Sequence, residues 1–125
     1  MKTLVQICQI IVGCGLLNVW LLRFNKPTAY RGGKAANMLG EFAAYGLPGW
    51  SCYLVGFLKV ASAVALLAGL LYPMLVLPAA AVVAVLMIGA VAMHFKVGDP
   101  FKKCVPALSV LVLCLIIIAG HWPGR

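Results

Sequence analysis

Four long apolar stretches dominate this sequence and constrain what it can fold into. They cover about residues 4–24, 50–72, 73–95 and 105–122. Each is long enough to cross the hydrocarbon core of a bilayer as a helix, which takes about 20 residues. Apolar residues make up 65% of the 125 residues, more than a soluble domain of this length can bury. The sequence therefore predicts an all-α integral membrane protein: four transmembrane helices in an up-down bundle, forming one domain over residues 1–125.

The net charge of +8 is distributed as in a membrane protein. Basic residues that bind nucleic acid cluster on a polar surface, whereas here they flank apolar stretches, so the expected partner is the lipid bilayer and no nucleic acid. The loops after the first and third spans hold seven of the ten basic residues: Arg23, Lys26, Arg31, Lys34, Lys96, Lys102 and Lys103. Only Lys2 and Arg125 lie at the opposite side. The positive-inside rule then places both basic loops in the cytoplasm and both termini outside.

A short amphipathic helix is predicted at about residues 34–45, between the first and second spans. At helical spacing one face carries a polar stripe of Lys34, Asn37 and Glu41. The opposite face is apolar and carries Ala35, Leu39 and Phe42. This helix is too short to span a bilayer, so we expect it in the membrane interface or re-entering the mouth of the bundle.

Arg31, Glu41 and Lys59 form the first candidate polar cluster, with Asn37 beside Glu41 on the polar stripe. Lys59 lies within the second span, where an unpaired lysine costs about 2.5–3.5 kcal/mol on insertion scales. Glu41 is the only acid before Asp99 and is the expected partner of Lys59. Three interpretations stay open: a salt bridge that docks the amphipathic helix, a ligand or proton-handling site, and a snorkelling lysine without a partner.

His94 and Asp99 form the second candidate pair, at the same membrane side as the amphipathic helix. A carboxylate beside a histidine fixes the imidazole tautomer for proton transfer. The alternative is a helix-capping Asp99, with Pro100 in the first helical turn, next to an interfacial histidine. The other histidine, His121, lies at the opposite membrane side, so no metal site is predicted.

The five cysteines show no CxxC spacing. Cys8, Cys14 and Cys114 lie in predicted spans, where a small buried side chain is the usual role. Cys52 and Cys104 are expected near the same membrane face, where they could pair or act in redox chemistry, although a cytoplasmic face would keep them reduced. No catalytic motif such as GxSxG, a Walker loop or HExxH is present, so no catalytic residue is assigned and an enzyme is not favoured.

Four motifs together resemble the DoxX-like family of small four-helix membrane proteins over about residues 5–120. They are E-F-x-x-Y-G-L-P from Glu41, V-G-x-L-K ending at Lys59, L-L-A-G-x-x-x-P ending at Pro73, and H-x-x-x-G-D-P from His94. Residues 94–102 are also similar to the matching part of NACHO, a chaperone of nicotinic-receptor assembly and a remote member of the group. The positions that the resemblance marks are Glu41, Tyr45, Gly46, Pro48, Gly56, Lys59, Gly69, Pro73, His94, Gly98, Asp99 and Pro100.

The resemblance implies a bacterial inner-membrane protein and leaves its chemistry open. Our first hypothesis is a non-enzymatic accessory or assembly protein that binds partner helices or a small apolar ligand within its bundle, alone or as a homo-oligomer. The second is a small redox-associated subunit that contacts a quinone, because the family is named after a subunit associated with thiosulfate–quinone oxidoreduction. A quinone is the only cofactor considered. The third is a binder of lipid or terpenoid-like molecules.

Overall fold

The computed structural model of the protein describes residues 2–22, 24 and 37–123, and all secondary structure in them is helical. The helices are α1 (Lys2–Leu17), which continues as a π-helical segment (Asn18–Leu22), α2 (Met38–Ala44), α3 (Gly49–Ala68), α4 (Val76–Lys96) and α5 (Val105–His121). Short 3-10 segments, Pro73–Leu75 and Phe101–Cys104, precede α4 and α5.

Four helical segments are long and apolar enough to cross a membrane: Lys2–Leu22, Gly49–Ala68, Pro73–Lys96 and Phe101–His121. The predicted all-α fold with four transmembrane helices is therefore confirmed. The second span ends at Ala68, four residues earlier than predicted. Gly69 caps it, and Tyr72 leaves the helical region because it precedes Pro73, whose ring disfavours a helical neighbour.

Each long helix packs against two others. α1 and α4 both contact α3 and α5, so the helices follow one another around a ring in the order α1, α3, α4, α5. Each contributes a fully buried side chain to the common core, namely Val12, Leu66, Val83 and Ile117. Small residues allow close approach, as at Gly120 of α5, where an added Cβ would collide with Val5 of α1.

The outward faces of the long helices are apolar. Large hydrophobic side chains are exposed on all of them, for example Ile7, Phe57, Ile88 and Leu115. Most of the exposed aromatic side chains lie near the ends of the spans: Trp50, Tyr53, Phe95 and Phe101 at one end, and Tyr72 and Trp122 at the other. Aromatic residues at span ends are typical of the two interfaces of a bilayer, so the surface matches a protein solvated by lipid.

One polar side chain in the core is satisfied between helices. Gln9 of α1 is 1% exposed, and its Nε2 donates a hydrogen bond to the Leu66 carbonyl of α3 at 3.0 Å. A buried amide must find such a partner, because hydrocarbon offers none. This bond fixes the α1–α3 packing at the end of the molecule away from α2.

Candidate ligand-binding cavity

A cavity of about 860 Å³ lies between the helices, and all five of them contribute to its walls. Most of its lining is apolar: Leu16, Val19, Val55, Val85, Leu86, Met87, Ala90, Met93, Ala107 and Val110. Its polar lining consists of Glu41, Tyr45, Lys59, His94 and Lys103. An apolar chamber with a few convergent polar groups is the usual composition of a small-molecule site.

Helix α2 starts where Asn37 caps it. Asn37 has an extended backbone, and its side-chain oxygen accepts a hydrogen bond from the Gly40 N–H at 2.7 Å. The Met38 N–H donates to the Phe24 carbonyl at 2.8 Å, which joins this helix start to the end of the first span. Asn37 was predicted inside the helix and in the polar cluster; instead it is the N-cap and does not line the cavity.

The face that α2 turns inward differs from the predicted one. Met38, Phe42 and Tyr45 are buried, whereas Leu39, predicted on the apolar side, is 36% exposed. Glu41 lies on the inward face with them and lines the cavity. The aromatic contact between Phe42 and Trp20, whose ring centroids are 6.3 Å apart, holds this face inward.

Lys59 of α3 reaches the cavity over the ring of Trp20. Its Nζ is 5.3 Å from the ring centroid, within range of a cation–π interaction. Trp20 itself occupies the space left by Gly56, one turn before Lys59: a Cβ at Gly56 would lie 2.6 Å from Cζ3 of the indole. Glu41 and Lys59 line the same cavity, but the described residues contain no direct ion pair between them.

Tyr45 links α2 to the polar end of the cavity. Its hydroxyl donates a hydrogen bond to Oε1 of Glu41 at 2.7 Å, and its carbonyl accepts one from Nζ of Lys96 at 2.8 Å. Its ring meets that of His94 edge-on, with centroids 5.8 Å apart. Burial, and then the neighbouring Glu41 carboxylate, raise the pKa of the Tyr45 phenol well above its usual value, so Tyr45 is a hydrogen-bond donor at neutral pH.

His94 is buried near the end of α4 and paired with Asp99. Gly98 adopts a positive φ of 72°, and the Asp99 N–H then donates back to the His94 carbonyl at 2.9 Å. This Schellman turn returns the Asp99 side chain to His94, whose Nδ1 donates to Oδ2 at 2.7 Å. Oδ1 of Asp99 lies 3.6 Å from Nζ of Lys103.

The predicted contact between His94 and Asp99 is thus confirmed, and the predicted capping role of Asp99 is wrong. The residue at the start of the next helical segment is Pro100, which offers no side-chain cap. Because a carboxylate only accepts hydrogen bonds, the contact requires the proton on Nδ1 of His94. His94 is also buried at 5% exposure instead of lying free in the interface.

Of the six predicted site residues, Glu41, Lys59 and His94 line one cavity, and Asp99 supports His94. Asn37 is a cap, and Arg31 lies outside the described residues. Sequence reasoning from the residues missed Trp20, Lys96 and Lys103. Lys103 could have been found from its spacing of four residues from Asp99. Trp20 and Lys96 could not be found in this way, because each contacts a residue of a different helix.

All five cysteines lie in the described part of the chain, and none of them forms a disulfide bond. Four are buried, and only Cys14 of α1 is exposed, so the predicted burial fails at that position. None of them lines the cavity.

The comparison with known families agrees with this architecture. The model of the DoxX-like family matches residues 27–118, which is most of the chain and includes α2 to α4 and most of α5. The chain belongs to the DoxX-like family. It is accordingly a multi-pass membrane protein. This DoxX-like protein has no match among curated proteins or solved structures.

Proposed function

We propose that this DoxX-like protein is a non-enzymatic membrane protein that binds a small, mostly apolar molecule between its helices. The cavity is the observation that carries the proposal, since it joins an apolar chamber of about 860 Å³ to a polar end. Its volume lies within the range of about 300–1,000 Å³ that small-molecule sites commonly have.

The polar end supports binding more than catalysis. Glu41, Tyr45, His94 and Asp99 are already engaged with one another by hydrogen bonds and ring contacts. Such a network holds side chains in place, and an ordered polar rim orients a ligand at little entropic cost. The apolar walls then select the ligand by shape.

The test is to purify the protein in a mild neutral detergent, extract bound lipids and identify them by mass spectrometry. We expect one molecular species enriched over the bulk lipid. The matched control is Ala90→Trp, which fills the chamber from α4 and should remove the enriched species. A composition equal to that of bulk membrane lipid in both proteins would contradict the proposal.

A quinone is the second candidate ligand. Nζ of Lys59 supplies a hydrogen-bond donor inside an apolar chamber, as a quinone carbonyl requires. A quinone with a short isoprenoid tail should then raise the unfolding temperature of the wild type and not that of Lys59→Met. Equal shifts in the two proteins would argue against this candidate.

We also propose that the protein resides in a bacterial inner membrane with both basic loops in the cytoplasm. The charges that support this orientation are Lys96, Lys102 and Lys103 beside the α4–α5 turn, together with the basic residues that follow the first span. A reporter enzyme active only outside the cytoplasm should therefore work when it is fused after residue 125. Activity only from a fusion in the α4–α5 turn would reverse the orientation.

A further inference from the structure

We infer that the molecule bound in the cavity is an amphipathic anion, a single hydrocarbon chain or ring system that ends in a carboxylate seated at Lys59. The inference rests on the proposed function, because it assumes that the cavity binds a ligand. It adds the charge and the position of the ligand headgroup.

Acidic side chains are scarce in this sequence. The whole sequence has two, Glu41 and Asp99, against ten lysines and arginines. Asp99 is taken by Nδ1 of His94 at 2.7 Å and by Nζ of Lys103 at 3.6 Å. Glu41 accepts the Tyr45 hydroxyl at 2.7 Å. A neutral hydroxyl leaves the charge of Glu41 in place, but Glu41 acts on Lys59 across the cavity and forms no ion pair with it, so a direct counter-ion at Lys59 has to come from an added anion.

The surroundings of the Lys59 ammonium also favour an anionic ligand. The indole of Trp20 covers one side of it at 5.3 Å, and in the described part of the chain no carboxylate forms an ion pair with it. A lysine ammonium has three N–H donors, and the cation–π contact does not use them all. Lys59 lines the cavity, so its remaining donors are available there to an acceptor on a ligand.

The apolar surroundings inside the cavity strengthen an ion pair at Lys59. Between apolar walls an ion pair is screened much less than in water, and hydrogen bonds between charged groups are the strongest of their kind. A neutral acceptor would leave the ammonium without a direct ion pair within a membrane span, whereas a carboxylate supplies one. The apolar part of the ligand would then lie along Val55, Val85, Leu86, Ala90 and Val110.

Trp20 provides a direct measurement of binding, because it lies beneath Lys59 in the cavity wall. The other two tryptophans, Trp50 and Trp122, are exposed and are replaced by Phe in the test protein. The probes are hexadecanoate brominated near its carboxyl end and the matched brominated hexadecanol, both of which quench indole fluorescence at contact. The protein is the full chain in neutral detergent.

The expected result is that the acid quenches Trp20 with an apparent affinity at least about tenfold higher than the alcohol. Lys59→Met should abolish this preference, and Lys59→Arg should retain it because the positive charge remains. Lys2→Met, which removes a lysine at the other end of α1, is the charge-matched control and should change nothing.

Equal affinity for acid and alcohol in the wild type would overturn the inference and leave the proposed function intact. Absence of specific quenching by either probe, together with no enriched species after lipid extraction, would overturn both. The acid–alcohol comparison uses only the protein with native Lys59, so it decides the question even if Lys59→Met does not fold.

Discussion

At the scale of single residues, Gly56 and Trp20 set the surroundings of Lys59 in the cavity wall. The absence of a side chain at Gly56 lets the indole of Trp20 lie against α3, and the indole then supports the ammonium of Lys59. The missing side chain at Gly56 therefore helps to determine the position of the Lys59 ammonium within the membrane span. Sequence spacing indicated that Gly56 and Lys59 share a face of α3 and that Trp20 of the first span faces other helices, but it did not indicate that Trp20 contacts Gly56 and Lys59.

Gly56→Ala should destabilise the protein by about 1–3 kcal/mol, because the added methyl group overpacks against Trp20. The measurement is thermal unfolding followed by near-ultraviolet circular dichroism, which also reports the displaced indole. Gly15→Ala is the matched control, since nothing lies within 4 Å of a Cβ built at Gly15 on the exposed face of α1. A Gly56→Ala protein as stable as the control would show that Trp20 is not held in this position.

Tyr45 should make the stability of the protein depend on alkaline pH. Its pKa is raised in the folded state, so its contribution is fully present below the ordinary value of about 10 and is lost as the pH rises above it. The difference in free energy of unfolding between wild type and Tyr45→Phe should shrink from about pH 8 to about pH 11. Lysine titration is common to both proteins and cancels in the difference. A constant difference would rule out a perturbed phenol.

At the scale of helices and turns, two glycine turns build the polar end of the cavity. Gly46 and Gly98 both have positive φ and end α2 and α4. In each turn a backbone N–H donates a hydrogen bond to the carbonyl five residues earlier: Leu47 to Phe42 after α2, and Asp99 to His94 after α4. The second turn creates the His94–Asp99 contact, so this part of the site is encoded locally by the G-D-P sequence.

Lys96→Met should loosen α2, because Lys96 binds the Tyr45 carbonyl at the C-terminal end of that helix. We expect amide hydrogen exchange in α2 to accelerate by about tenfold, the effect of losing one hydrogen bond to a charged group. Exchange in α3 and α4 should not change. Lys2→Met again provides a control with the same change in net charge. Uniform acceleration across all helices would instead indicate global destabilisation.

The sequence predicted the parts of the fold that depend on local patterns. Long apolar runs located the four spans, and the position of His94 and Asp99 at the same end of the third and fourth spans predicted that they lie close together. The predictions from the sequence were wrong where a contact between two helices determines the position of a side chain. The inward face of α2 is set by the packing of Phe42 on Trp20. For Lys96 the sequence predicts only a charge that sets membrane orientation, whereas in the structure Lys96 caps α2.

At the scale of the whole molecule, the distribution of charge is the unusual property. The sequence has two acidic and ten basic side chains, and both acidic side chains lie at the end of the bundle that contains α2. Lys59 is the basic residue in the middle of a span, and it lines the poorly screened cavity together with Glu41. Long-range electrostatics inside the cavity should therefore be measurable even between groups that do not touch.

The double change Glu41→Gln with Lys59→Met should cost less than the sum of the single changes. Both groups line the same poorly screened cavity, and we expect a coupling energy of about 0.5 kcal/mol or more in thermal unfolding. Glu41→Gln with Lys2→Met is the control cycle and should be additive. Strict additivity in the first cycle would mean that the two charges do not interact.

The attachment of α2 has a consequence for the rate at which a ligand exchanges. Among the long helices α2 packs on α3, and it meets α4 through the contacts of Tyr45 with Lys96 and His94. A seven-residue helix has little intrinsic stability, so it can open while the four spans remain packed. The residence time of the proposed ligand would then depend on this local opening and not on unfolding of the four spans.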